Sequence, residues 1–131
     1  MDAVRRRARS DAATLAIGLV LAVVASTGRA WAHAFPDHSE PRVGHSVDAS
    51  PAAVRIWFDG AIEPMFSTVR VEDSSGHQVD SGDPRVDPED DKLLEVSVPP
   101  LPPGSYEVAW SVVARDGHRT EGRFPFRVGS H

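Results

Sequence analysis

From residue 54 onward, apolar and polar positions alternate with a period of two, and that rhythm predicts strands. Val54, Ile56 and Phe58 alternate with Arg55, Trp57 and Asp59, and Val69 and Val71 alternate with Thr68, Arg70 and Glu72. The same period recurs at Leu94, Val96 and Val98, then at Tyr106, Val108, Trp110, Val112 and Ala114, and finally at Phe124, Phe126 and Val128. Successive side chains on a strand point to opposite faces, so each run has one face to bury and one to leave in water. Ser74-Ser75-Gly76 and Pro102-Pro103-Gly104 supply turn chemistry between runs. With no helical period between them, these strands predict an all-β domain, an antiparallel sandwich or barrel. Its core is expected to hold Ile56, Phe58, Val69, Trp110, Phe124 and Phe126, and Trp57 reads as a core aromatic as well.

Two segments break the rhythm. Residues 80 to 91 carry Asp80, Asp83, Asp87, Glu89, Asp90 and Asp91 with two prolines, without the ligand spacing and central glycine of a calcium loop, and they read as a solvated loop. Residues 33 to 47 carry Pro36 and Pro41 and no clean alternation, which predicts an edge strand or an extended arm, since proline cannot donate to a central ladder.

The first 32 residues are different in kind. Arg5, Arg6, Arg7 and Arg9 form a basic head, Thr14 to Ser26 an apolar run, and Ala30-Trp31-Ala32 a small-residue cleavage signal. The apolar run is shorter than the roughly 20 residues a spanning helix needs, so it reads as a cleavable export signal of the general secretory type covering residues 1 to 32. Residues 33 to 131 then form one small domain of 99 residues, carrying 9 lysines and arginines against 17 aspartates and glutamates, a net charge of −8. That acidity excludes nucleic acid and anionic lipid as partners and favours a cation. Nothing later in the sequence is apolar enough for a membrane-embedded protein. There is no cysteine, so the domain is held by packing alone and offers no thiolate to Cu(I) or zinc.

Cleavage after Ala32 would place His33 at the new N-terminus, where one residue offers both an amine and an imidazole. Their ordinary pKa values, near 8 and 6.5, mean that a metal displaces few protons at neutral pH. Asp116-Gly117-His118 adds a carboxylate oxygen and a third nitrogen, and by parity both side chains continue the inward face of Trp110, Val112 and Ala114 to the rim, unless Gly117 breaks the alternation. A mixed nitrogen and oxygen donor set suits Cu(II). The competing reading of Asp116-Gly117 is a hairpin turn pair. His38 and His45 are auxiliary ligand candidates, whereas His77 and His131 read as solvated and Met65 as filler.

The chain resembles the CopC family of exported copper-resistance proteins over the whole of residues 33 to 131. The residues that carry the resemblance are His33-Ala34, Ser39-Glu40-Pro41, Val54 to Phe58 with Ile62-Glu63-Pro64, Leu101 to Tyr106 with Val108 and Trp110, and Asp116-Gly117-His118 followed by Gly122 to Val128. The resemblance implies an immunoglobulin-like Greek-key β-sandwich or barrel of about seven strands. It further implies Cu(II) held by the amine and imidazole of His33, the carboxylate of Asp116 and the imidazole of His118, in a monomeric, non-enzymatic periplasmic carrier or buffer. A CopD-like inner-membrane copper protein is the implied recipient. The chain lacks the methionine-rich stretch of some members, which excludes a Cu(I) site, and it has Gly60 where many members carry a glutamate, leaving Asp59 or Glu63 to take over that role. Two rival functions share the same residues: a histidine-brace copper oxidase, and a non-metal β-sandwich interaction module in which Asp116-Gly117-His118 is only a turn.

Overall fold

The computed structural model describes residues 33–129; the expected export leader, its expected cleavage site and His131 lie outside the described residues. Eight strands follow in order: β1 Pro36–Glu40, β2 Ser46–Val47, β3 Ala53–Phe58, β4 Thr68–Asp73, β5 Arg85–Asp87, β6 Asp90–Ser97, β7 Gly104–Val113 and β8 Arg119–Val128. They form two four-stranded sheets, β1-β3-β6-β5 and β2-β8-β7-β4. This is the strand order of an immunoglobulin sandwich, with the first segment split so that β1 edges one sheet and β2 pairs in parallel with β8 on the other. The count is therefore eight strands where about seven were expected, the extra one being the two-residue β2. Tyr106, near the start of β7, donates its hydroxyl hydrogen to the Pro102 carbonyl, the corner bond typical of that fold.

Parity decides burial as the alternation predicts. Ile56, Phe58, Val69, Trp110, Phe124 and Phe126 are all buried, and Tyr106, Val108, Val112, Ala114 and Val128 join them from β7, its turn and β8. Trp57 corrects the expectation: it stays half-buried on the outer face of its sheet, stacked on His38 at 4.5 Å and 9°. Its odd parity in β3, shared with Arg55, outweighs its aromatic character. The acidic segment 80 to 91 is likewise more than a loop, because it contains β5 and the start of β6. Its carboxylates serve the chain locally: Asp80 accepts from the Val71 and Gly82 amides, and Asp83 from the Ser97 amide and Arg85.

Gly122 is where the packing is least forgiving. It pairs with Trp110 across β7 and β8, and a Cβ added there would sit 2.7 Å from Trp110 Cζ2 and 2.9 Å from Cε2. The indole lies over the bare backbone, so Gly122→Ala should force the ring out of its packed position, at a cost of about 1–3 kcal/mol. Urea denaturation checks this; unchanged stability would mean that the ring has room to move.

Candidate metal centre

The β7–β8 hairpin is closed by the Ala114 amide donating to the His118 carbonyl at 2.9 Å and the Gly117 amide to the Ala114 carbonyl at 2.9 Å, with Gly117 in the left-handed region at φ 88°. This is a three-residue loop ending in a glycine that a side chain would strain. The turn reading of Asp116-Gly117-His118 is thus met, and the turn is compatible with the ligand reading. His118 sits opposite inward-facing Ala114 and two residues before Thr120, at the rim of the sandwich. Asp116 does not get there by strand parity, because Gly117 breaks the alternation. It is aimed instead by its own hydrogen bond, Oδ1 accepting the His118 amide at 3.0 Å, which leaves Oδ2 3.2 Å from His118 Nδ1.

His33 arrives from the other end of the described chain. Its ring centroid lies 5.1 Å from that of His118 at 77°, and 6.0 Å from that of Phe35. One ligand atom from each of His33, Asp116 and His118 falls within 4.8 Å of the others. Among the described residues this is the one such group of three. Hydrogen bonding from the His118 backbone, then from its ring, with the two imidazoles nearby, holds the Asp116 carboxyl below the usual carboxylate range despite partial desolvation. Asp116 is therefore ionised and ready to accept a cation at neutral pH.

The arm carrying His33 is bound to both sheets. The Phe35 amide donates to Asp59 Oδ1 at 2.8 Å, the Asp59 amide returns a bond to the Phe35 carbonyl at 2.9 Å, and Thr120 Oγ1 donates to the Ala34 carbonyl at 2.7 Å. The ligand hairpin is tied down separately. Arg115 donates its amide to the Ala61 carbonyl, and its guanidinium reaches Asp91 at 3.2 Å and Glu63 at 3.6 Å. Glu63 is thus engaged by Arg115, and of the two residues considered in place of the missing glutamate it is Asp59 that braces the arm.

The auxiliary candidates stay apart. His38 is held against Trp57 and Asp37 on the outer sheet face, and His45 lies in the exposed turn between β1 and β2. His77 is exposed beside Asp73, and Met65 is exposed in the short 3-10 turn Pro64–Phe66. Sequence reasoning missed Arg115 and Thr120. For Thr120 there was a signal: a hydroxyl at an inward position of β8, in line with Gly122, Phe124 and Phe126.

Comparison with known proteins agrees with this architecture. The chain is 34% identical to CopC from Methylosinus trichosporium OB3b, whose crystal structure superposes with a TM-score of 0.70 over 76% of this chain and 96% of that one. PcoC from Escherichia coli, described as a methionine-rich copper resistance protein, superposes with a TM-score of 0.63 at 28% identity, over 74% of this chain and 99% of PcoC. Protein YobA of Escherichia coli strain K12 is 33% identical over 103 residues, 78% of this chain and 83% of YobA. The copper transport protein CutJ of Bacillus subtilis strain 168 is 30% identical over 112 residues, 85% of this chain but 21% of that longer protein. The CopC domain model matches residues 37–129, the greater part of the sequence. The chain belongs to the CopC domain family.

Proposed function

We propose that this chain is an exported, non-enzymatic Cu(II) carrier or buffer, in which His33, Asp116 and His118 hold one ion for copper tolerance or supply. The observation that carries the reading is the convergence of those three residues, from chain segments more than 80 positions apart, on ligand atoms within 4.8 Å. Once cut after Ala32, the chain would add the His33 amine, giving three nitrogens and one carboxylate oxygen, a set suited to tetragonal Cu(II). The surrounding acidic domain draws a cation toward it over the screening distance of physiological salt. Relatives named for copper resistance and copper transport support copper as the cargo. Unlike the methionine-rich relative, this chain has only Met65 after residue 32, so no soft cluster competes for Cu(I).

Among the described residues no helix is long and apolar enough to cross a membrane. The carrier acts as a periplasmic monomer in this reading, and passes its ion to a CopD-like protein of the inner membrane. Protein recovered after export, with its start at His33 established by mass spectrometry, should bind one equivalent of Cu(II), with nitrogen couplings in the electron paramagnetic resonance spectrum. It should surrender all Cu(I) to a Cu(I)-specific chelator and should not sustain oxygen consumption with ascorbate. His77→Ala should bind as the parent does. Retention of Cu(I) would reveal a soft site, sustained turnover an oxidase, and no copper binding at all a plain interaction module.

A further inference from the structure

We infer that Thr120 and Asp59 are positioning residues for the metal centre, fixing the arm beyond His33 so that its ligand atoms stay beside Asp116 and His118. The inference rests on the Cu(II) reading above and extends it to residues that touch no metal. Residues 33 to 35 lie before the first ladder: β1 begins at Pro36, paired with Phe58, and the register slips between Pro36 and His38. Pro36 has no amide hydrogen to give. Residues 33 to 35 thus lie beyond the paired stretch and join it at Phe35, whose carbonyl accepts the Asp59 amide at 2.9 Å.

Two side chains add to that backbone bond, one from each sheet. Thr120 of β8 donates its hydroxyl hydrogen to the Ala34 carbonyl at 2.7 Å, and Asp59, just past β3, accepts the Phe35 amide at 2.8 Å. Between these bonds Ala34 is fully buried, so the arm is seated across the end of the sandwich. His33 is expected to supply two of the four ligands, and an arm already ordered in the metal-free protein does not have to lose its freedom when the ion binds. Loosening either bond should leave every ligand in the chain and yet let the His33 end detach more often. The position of Thr120 argues the same way. On an inward parity that β8 otherwise gives to glycine and aromatic or aliphatic residues, a hydroxyl has a use only if it finds a partner, and the partner here is the arm.

The test compares exported protein carrying Thr120→Val or Asp59→Ala with the conservative changes Thr120→Ser and Asp59→Asn, which keep a hydroxyl and a carbonyl acceptor. The readouts are the rate at which Cu(II) is lost to excess chelator and amide hydrogen exchange at Phe35 in the metal-free protein. Thr120→Val and Asp59→Ala should each speed copper loss by about 2- to 13-fold, the effect of one ordinary hydrogen bond. Both should also speed Phe35 exchange, and the Ser and Asn variants should restore both readouts. In a His33→Ala background that also carries one added N-terminal residue, where the arm has neither the imidazole nor the residue-33 amine, Thr120→Val should change the residual binding little. Copper binding that is intact and indifferent to Thr120→Val and Asp59→Ala overturns the positioning role alone, as does an equal effect in that extended His33→Ala background. Absence of Cu(II) binding to the parent protein overturns the copper reading and the positioning role with it.

Discussion

Protein that begins with one extra methionine before His33 is expected to lose Cu(II) affinity by more than the roughly 10- to 100-fold that changes around a metal's ligands produce. The extension keeps every side chain, the Ala34 and Phe35 anchors and the turn at Asp116-Gly117-His118. It moves the free amine one residue away from the imidazole and turns the His33 nitrogen into an amide, which can ligate Cu(II) only by giving up its proton. The chelate that joins amine and imidazole in one residue is then gone. His118→Ala should cost a comparable amount, since it removes an imidazole from the same cluster, and Asp116→Ala less, because a carboxylate is the weaker ligand for Cu(II). Competitive Cu(II) titration at fixed pH measures all three, with circular dichroism to show that the fold is kept. Undiminished affinity in the extended protein, with an electron paramagnetic resonance spectrum unchanged from the parent's, would sink the N-terminal chelate. The ion would then have to be held by internal histidines such as His38 or His45, which the fold keeps away from Asp116 and His118.

The rhythm of two carried most of the fold because a sandwich buries one face of each strand, and Val54 to Phe58, Tyr106 to Ala114 and Phe124 to Val128 write that face plainly. It was silent on β2 and β5, whose two and three residues pair because a neighbouring strand offers an edge, not because their own pattern demands it. At Trp57 the pattern spoke correctly, and the weight given to an aromatic ring overrode it. The proposed centre was legible at its candidate ligands, since a histidine after an expected cleavage signal and an Asp-Gly-His are both uncommon placements. What joins them was not. Sequence alone sets the turn against the ligand pair as alternatives, whereas the hydrogen bond from the His118 amide to Asp116 Oδ1 makes the turn the means of aiming the ligands. Thr120 and Asp59 lie 86 and 24 positions from the arm residues they hold, a juxtaposition that only the packed sheets produce.

Truncation of Trp110 to alanine is expected to remove about 3–5 kcal/mol of stability, a large share of the roughly 5–15 kcal/mol that holds a domain of this kind. The buried indole packs between the two sheets. From β7 it meets the Phe58 ring of β3 edge-on at 5.3 Å and 73°, and it covers the backbone at Gly122. Alanine would leave a cavity that neither neighbour can close, because Phe58 is itself buried in β3 and Gly122 has no side chain to swing in. With no cysteine in the chain, no disulfide limits the loss. Urea denaturation followed by far-ultraviolet circular dichroism gives the number. Phe58 immediately precedes Asp59, so the cavity also undermines one anchor of the His33 arm, and copper should further stabilise the variant less than it does the parent. A loss below about 1 kcal/mol, or a native-state indole at position 110 fully open to an aqueous quencher, would mean that Trp110 does not pack between the sheets.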